Sequence, residues 1–167
     1  MNFDQAFAKV IGHEGGYTND SRDRGNWTTG AIGQGELKGT KYGVSAMAYP
    51  DLDIKNLTVD QAKEIYRRDY WNKLQLDQLP DAVRFDLFDA AINSGIGNAA
   101  KFLQRAAGVT ADGAIGPKTI AAANAMDPAK LDKRINGYRL MFLCDITTFN
   151  TYGKGWVRRV ATNLIED

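Results

Sequence analysis

Residues 15–43, GGYTNDSRDRGNWTTGAIGQGELKGTKYG, contain no apolar residues at helical spacing, yet the segments on either side do. A stretch that long, polar and rich in glycine cannot continue a helix, and inside a compact domain such a loop generally carries a binding or catalytic task. A small β-rich lobe is expected over about residues 18–44. GAIGQG supplies turn residues, and Thr28, Thr29, Thr40 and Tyr42 favour short strands.

The flanking segments read as helices. Phe3, Phe7, Val10 and Ile11 recur at i, i+4, i+7 and i+8, one apolar stripe with Asn2 as its cap. Glu14 is the next position of that stripe, and Gly15 and Gly16 end the helix. Downstream, Thr58 and Gln61 form a capping-box pattern ahead of an apolar-periodic run. Asp81 is placed to cap a helix lined by Val83, Leu87, Phe88 and Ala91, which NSGIGN (93–98) breaks. Asn98 starts the next helix, Pro117 opens another, and Asp127–Pro128 begin a long one running to about Phe149, with a last short helix from near Gly155. The expected class is mostly α (α+β): a helical body with a small β-hairpin lobe flanking a groove, the natural binding site.

The 167 residues are expected to form one globule around a sizeable core. Lys and Arg total 21 against 20 Asp and Glu, a balance that gives no reason to expect a nucleic-acid partner; Arg67–Arg68 and Arg158–Arg159 read as solvated helix faces. Cys144 is the single cysteine, so no internal disulfide is expected, and its setting in LMFLCDI reads as a buried inert thiol. No run approaches the roughly 18 apolar residues of a membrane span. The N-terminus lacks the apolar core of a signal peptide. Synthesis in the cytoplasm without membrane insertion is expected, and a substrate outside the inner membrane would require a separate permeabilising or export partner.

What chemistry remains is set by scarcity. With His13 and Cys144 alone, neither a nitrogen–sulfur zinc site nor a Ser/His/Asp triad free of His13 can be assembled, and no phosphate-cradling or dinucleotide fingerprint occurs. No cofactor or metal is expected. Carboxylates are the main resource, and Glu14 is the most constrained of them. Apolar neighbours and the negative end of a helix both disfavour its charged form, which suits a general acid; the alternative is a solvated helix-end residue.

Asp23 follows Glu14 by nine positions and Thr29 by fifteen. That Glu–Asp–Thr spacing resembles the arrangement of phage-type lysozymes. The words HEGGY and ND, DRGNWTTG, GELKGTKYGVS and FDAAINSGIGNAAKFLQ resemble the family 108 glycoside hydrolases of phages and prophages, N-acetylmuramidases known as endolysins or secretion activators. The likeness runs over nearly the whole chain. Residues 102–124, FLQRAAGVTADGAIGPKTIAAAN, are similar to the signature of peptidoglycan-binding modules, although an Asp–Gly turn before a Gly–Pro helix start also arises for structural reasons alone. The resemblance implies a catalytic part over 1–94 and a helical peptidoglycan-binding-like part over 95–167, packed in one globule.

It further implies hydrolysis of the β-1,4 bond between N-acetylmuramic acid and N-acetylglucosamine, with bacterial peptidoglycan as partner and the cell wall as the place of action. Glu14 would protonate the leaving oxygen; Asp23 would stabilise an oxocarbenium-like transition state or activate water, which Thr28 or Thr29 could hold. The long loop leaves both threonines open, and Asp20 and Glu36 compete with Asp23. Tyr17, Trp27 and Tyr42 in the lobe, with Asn93 near the NSG break, are candidate sugar contacts, each with a structural alternative. Asp86 reads as a possible support of the groove, Asp89 as a solvated or capping residue, and Tyr66, Tyr70 and Trp71 as core. Two other functional classes stay open: a non-catalytic wall-binding or secretion-associated protein, and a lytic transglycosylase or chitin-type glycosidase.

Overall fold

The structure, a computed structural model, describes residues 1–12 and 16–166. Among them are seven α-helices and one two-stranded antiparallel sheet: α1 (Phe3–Ile11), β1 (Thr40–Lys41), β2 (Val44–Ser45), α2 (Val59–Tyr66), α3 (Asp81–Ser94), α4 (Ile96–Ala107), α5 (Pro117–Asn124), α6 (Pro128–Asp145) and α7 (Phe149–Glu166). The mostly α class with a small β lobe is as expected. The chain packs as two compact units, residues 7–67 in one and residues 1–6 with 68–167 in the other.

The lobe unit is built on little regular structure. The hairpin pairs Thr40 with Ser45 and Lys41 with Val44, and an isolated bridge joins Thr18 to Thr40 while another joins Trp27 to Leu37. Tyr42 and Gly43 form the two-residue turn with φ of 51° and 73°. Positive φ at both central positions matches the twist of the strands, a conformation glycine tolerates and tyrosine does not favour. Tyr66 secures that turn by donating its hydroxyl to the Tyr42 carbonyl at 3.2 Å, and its ring meets Phe7 edge-on at 5.5 Å. Val44, Ala46, Ile54, Leu57, Ala62 and Ile65 complete the buried set. α2 begins with the expected capping box, Thr58 Oγ1 accepting from Gln61 N–H and Gln61 Oε1 from Thr58 N–H.

In the other unit, Phe3, Trp71 and Phe88 form an edge-to-face trio with ring centroids 5.4, 5.5 and 6.0 Å apart. Asn2 caps α1 reciprocally with Gln5, both bonds 3.0 Å. α3 is buried on nearly every side, as a helix surrounded by others must be, with α4 and α6 against it, α5 on α4, and α7 on α6. Two of its buried residues are charged. Asp89 Oδ2 accepts from Arg139 Nη2 at 2.7 Å and from Asn163 Nδ2 at 3.1 Å, while its Oδ1 accepts from Arg159 Nε at 2.8 Å. Asp86 accepts from Asn136 Nδ2 at 2.9 Å and Asn163 Nδ2 at 3.0 Å. Burial pushes the Asp89 carboxyl up, but Arg159 and Arg139 outweigh it and hold the group below its ordinary 3.8. Arg139 is fully buried, and its Nε and Nη1 have no hydrogen-bond partner among the described residues.

Several local expectations need correction. Asp89 is not solvated, and Arg159 is not a free surface charge; each is the other's partner. Cys144 is exposed rather than buried. The buried face of α6 runs through Leu131, Ile135, Arg139 and Leu143, and Cys144 falls one residue, about 100° of helix, beyond it. The long helix ends at Asp145, with Ile146 extended, and α7 starts at Phe149 instead of near Gly155. Gly153 does not break α7; the Phe149 ring lies over it, so close that an added Cβ would meet the ring at 2.5 Å. α3 starts at Asp81 with Pro80 as its cap position, and α4 starts at Ile96 instead of Asn98.

The DGAIGPKT segment is organised from beneath by Gln104. This buried side chain donates to Asp112 Oδ1 at 2.7 Å and to the Ala114 carbonyl at 2.9 Å, and accepts from Gly113 N–H at 2.8 Å. Gln75 Nε2 adds a bond to the Ile115 carbonyl at 2.7 Å.

Two outcomes follow for stability. Asp89→Asn leaves the buried Arg139 without its counter-charge and should cost about 3–5 kcal/mol at pH 7. Because the Asp89 pKa is depressed on folding, its contribution is present above the ordinary 3.8 and lost as the pH falls through the native value. Urea unfolding at pH 7 and again near pH 3 should therefore show the gap between variant and wild type narrowing. Gln104→Met should cost about 1–3 kcal/mol by leaving polar partners unmet, and hydrogen exchange at the Gly113 amide should quicken; an unchanged Gly113 rate would show that Gln104 does not hold this turn.

Candidate active site

The turn 20–27 brings together three of the expected site residues, Asp20, Asp23 and Trp27. Asp23 N–H donates to the Asp20 carbonyl at 3.1 Å, and the Trp27 indole donates to the Ser21 carbonyl at 2.9 Å. Asn26, completely buried, is the hub. Its amide donates to the Asp20 carbonyl at 3.0 Å, its side-chain oxygen accepts from Thr40 Oγ1 at 2.7 Å, and its own carbonyl accepts from Gly39 N–H at 3.0 Å. One amide side chain thus ties the carboxylate-bearing turn to the hairpin. Asn26 was not among the residues expected from sequence; nothing in DRGNW distinguishes a buried asparagine from an exposed turn residue.

The two aspartates of this turn differ in what they have left to offer. Asp20 spends both oxygens on Arg22: Oδ1 accepts from the backbone N–H at 2.9 Å and from Nε at 3.0 Å, and Oδ2 from Nη2 at 2.8 Å. The Arg22 side chain first, then its N–H, bring the Asp20 pKa down to about 2. Asp23 caps the 3₁₀ turn Arg24–Asn26, its Oδ1 accepting from Gly25 N–H at 2.8 Å. Its Oδ2 has no hydrogen bond among the described residues, and the side chain is exposed. Glu36 is exposed as well, 3.4 Å from Lys38.

Thr28 and Thr29 stand at the mouth of a glycine-rich loop, Gly30 to Gly35. Thr28 Oγ1 accepts from Glu36 N–H at 3.0 Å, which leaves its hydroxyl hydrogen uncommitted. Thr29 Oγ1 donates to the Gln34 carbonyl at 2.8 Å and accepts from Ala31 N–H at 3.3 Å, so both of its roles are spent within the loop. Gly35, at φ 76°, lies against both threonines, and an added Cβ would meet Thr28 Oγ1 at 2.5 Å.

Of the aromatic candidates, Tyr17 is half-buried and its ring covers Gly39, where an added Cβ would approach Cε2 to 2.7 Å. Together with Leu37, Lys38 and residues 51–55 it lines a cavity of about 430 Å³ within the lobe unit. Sequence reasoning had not singled out residues 51–55, whose YPDLDIKN reads only as a turn-rich connection. Tyr42 has Lys41 Nζ 5.3 Å from its ring centroid. Asn93 belongs to the other unit, in the last turn of α3, and accepts from the Ser94 hydroxyl at 3.3 Å. Glu14 and His13 lie outside the described residues. Among the described residues no group of three or more His, Cys, Asp or Glu side chains is placed to hold a metal ion, and no helix is long and apolar enough to cross a membrane.

Residues 7–95 match the family described as Glycosyl hydrolase 108, and residues 98–161 match one described as Predicted Peptidoglycan domain. No match was found among curated proteins. Among solved structures, SagA of Brucella abortus is similar with a TM-score of 0.80 at 36% identity, over 96% of this chain and 90% of that one. With the matched region containing the carboxylate-bearing turn and the glycine-rich loop, and a peptidoglycan domain after it, the chain belongs to the glycosyl hydrolase 108 family and is a lysozyme-like, peptidoglycan-directed glycoside hydrolase.

Proposed function

We propose that the protein is an N-acetylmuramidase, hydrolysing the β-1,4 bond between N-acetylmuramic acid and N-acetylglucosamine, with residues 1–94 as its catalytic part and 95–167 as its wall-binding part. The observation that carries the reading is the match of residues 7–95 to glycosyl hydrolase 108 around the Glu14–Asp23–Thr28/Thr29 spacing. Glu14 acts as the general acid on the leaving oxygen. The other role requires a carboxylate that keeps a lone pair for water or for the positive charge developing at the sugar. Asp23 meets that requirement with its open Oδ2, whereas Asp20 is consumed by Arg22. Thr28 is better suited than Thr29 to orient the water, since it retains a hydroxyl hydrogen to donate.

Tyr17, Trp27, Tyr42 and Asn93 are the proposed saccharide contacts. For Tyr42 the support is conformational: a tyrosine kept at φ 51° where asparagine or glycine would be unstrained is the kind of local cost that binding sites retain. For Trp27 it is placement, since the indole N–H is already used on Ser21 and only the ring face remains for a sugar.

The assignment is tested on purified peptidoglycan by mass analysis of released fragments. Wild type should give fragments with reducing muramic acid ends, and Glu14→Gln should lose about 10²–10⁴-fold in rate, the span of a general acid. Anhydro ends would instead identify a lytic transglycosylase, and equal release by the variant would remove Glu14 from the chemistry. A second comparison separates the aspartates. Asparagine also caps a helical turn, so Asp23→Asn preserves the local fold and should fall by about 10²-fold or more. Asp20→Asn should lose less than about tenfold; the reverse order of initial rates would exchange their roles.

A further inference from the structure

The cavity beside Tyr17 is lined in a way that a neutral sugar does not require. Tyr17, Leu37, Leu52 and Ile54 supply apolar surface, and Lys38, Lys55, Asp51 and Asp53 add charges of both signs. Two of these charges are partly answered within the lobe. Lys38 Nζ donates to the Pro50 carbonyl at 2.7 Å, and Asp53 accepts from the Asn56 amide at 2.8 Å and from its N–H at 3.3 Å. Lys38 also lies 3.4 Å from Glu36, and Lys38 and Lys55 both favour the charged form of Asp53, yet among the described residues neither the Lys55 ammonium nor the Asp51 carboxylate makes a side-chain hydrogen bond. An ammonium and a carboxylate are thus presented in one recess whose remaining wall is aliphatic and aromatic.

That combination fits a short peptide carrying carboxylates and an amino group, with small methyl side chains. We propose that the cavity binds the stem peptide attached to the lactyl group of N-acetylmuramic acid, with Lys55 and Lys38 taking its carboxylates, Asp51 its amino group, and Leu37, Leu52 and Ile54 its alanine methyls. The proposal rests on the peptidoglycan reading above. The saccharides of the glycan backbone are bound through ring faces and hydroxyls, and ammonium and carboxylate groups with hydrogen-bonding capacity left over are not required for such a contact. A volume of about 430 Å³ admits a few residues of peptide and falls within the usual range of small-ligand sites. The location is consistent with cleavage nearby. Tyr17 follows Glu14 by three residues in the chain, and three residues of extended backbone span at most about 11 Å. A stem peptide seated here would be attached to a muramic acid close to the proposed acid, and its binding would select peptide-bearing glycan over bare chains.

The test is an NMR titration of the full chain with two separate probes: the free tetrapeptide L-alanyl-γ-D-glutamyl-meso-diaminopimelyl-D-alanine, and the disaccharide of N-acetylglucosamine and N-acetylmuramic acid. The tetrapeptide should shift the backbone amides of Leu37, Leu52 and Lys55, and Lys55→Glu, an exposed change that leaves the melting temperature in place, should weaken it by about tenfold, equivalent to about 1.4 kcal/mol. Shifts of these amides by the disaccharide alone, or by neither probe, would overturn the proposal. Hydrolysis is read in parallel on intact peptidoglycan and on glycan stripped of its peptides by an amidase. Lys55→Glu should raise KM on the intact polymer and leave hydrolysis of the stripped glycan unchanged. Should wild type cut neither polymer, the muramidase reading fails, and the tetrapeptide titration still decides what the cavity binds.

Discussion

Two carboxylates on one turn of α3, Asp86 and Asp89, lie in the interior of the helical unit, and side chains from α6 and α7 converge on them. Arg139 and Asn136 arrive from α6, Arg159 and Asn163 from α7. Ions in an apolar interior tolerate almost no displacement, because every bond lost leaves a charge or dipole that water cannot reach. Apolar contacts among α3, α6 and α7 would allow these helices to slide or rotate by small amounts. The carboxylate network does not, since Asn163 must meet both aspartates at once, at 3.0 and 3.1 Å. What this arrangement contributes is registry more than stability, with the aromatic trio of Phe3, Trp71 and Phe88 supplying apolar burial.

The lobe unit solves the opposite problem. It has few strands and many glycines, so it cannot be held by ladders of backbone bonds, and single side chains replace them. Asn26 joins the turn 20–26 to Gly39 and Thr40, Tyr66 holds the hairpin turn at Tyr42, and Thr28 and Thr29 close the loop 30–35. The consequence for chemistry is selectivity among similar groups. Asp20 and Asp23 are three residues apart and both exposed to solvent, yet one is neutralised by its own neighbour and the other keeps an open oxygen. Two carboxylates of one turn thus differ in what each can still bind.

Much of this was legible in the chain. Apolar periodicity located α1, α2 and α3, the Thr58–Gln61 box marked the start of α2, and Pro117 and Asp127–Pro128 marked α5 and α6. These are local signals, set within one or two turns of helix. The readings that failed concern burial. Asp89 is charged, and a charged residue in isolation reads as solvated; it is buried because Arg139, fifty residues away, and Arg159, seventy residues away, answer its charge. Cys144 sits in an apolar run, but which apolar residues face inward depends on the neighbours of α6. The last helix was expected only from near Gly155, and the close approach of Phe149 to Gly153 that lets it start at Phe149 is visible only once the helix exists.

The sequence by itself determined the class of fold, the place of the irregular lobe, and the spacing of Glu14, Asp23, Thr28 and Thr29 that points to carboxylate chemistry, because helix periods, caps, turns and covalent spacing are properties of neighbouring residues. Tertiary structure decided which carboxylates are free and which are spent, which charges are buried, and where residues far apart in the chain, such as Tyr17 and Lys55, enclose a common cavity. Those are properties of pairs. Whether Asp20 or Asp23 can act depends on where Arg22 and the Gly25 amide lie, and whether Asp89 is a surface charge or an interior one depends on a helix that begins sixty residues later: hydrogen bonding and desolvation act through space, and only the folded chain specifies those distances.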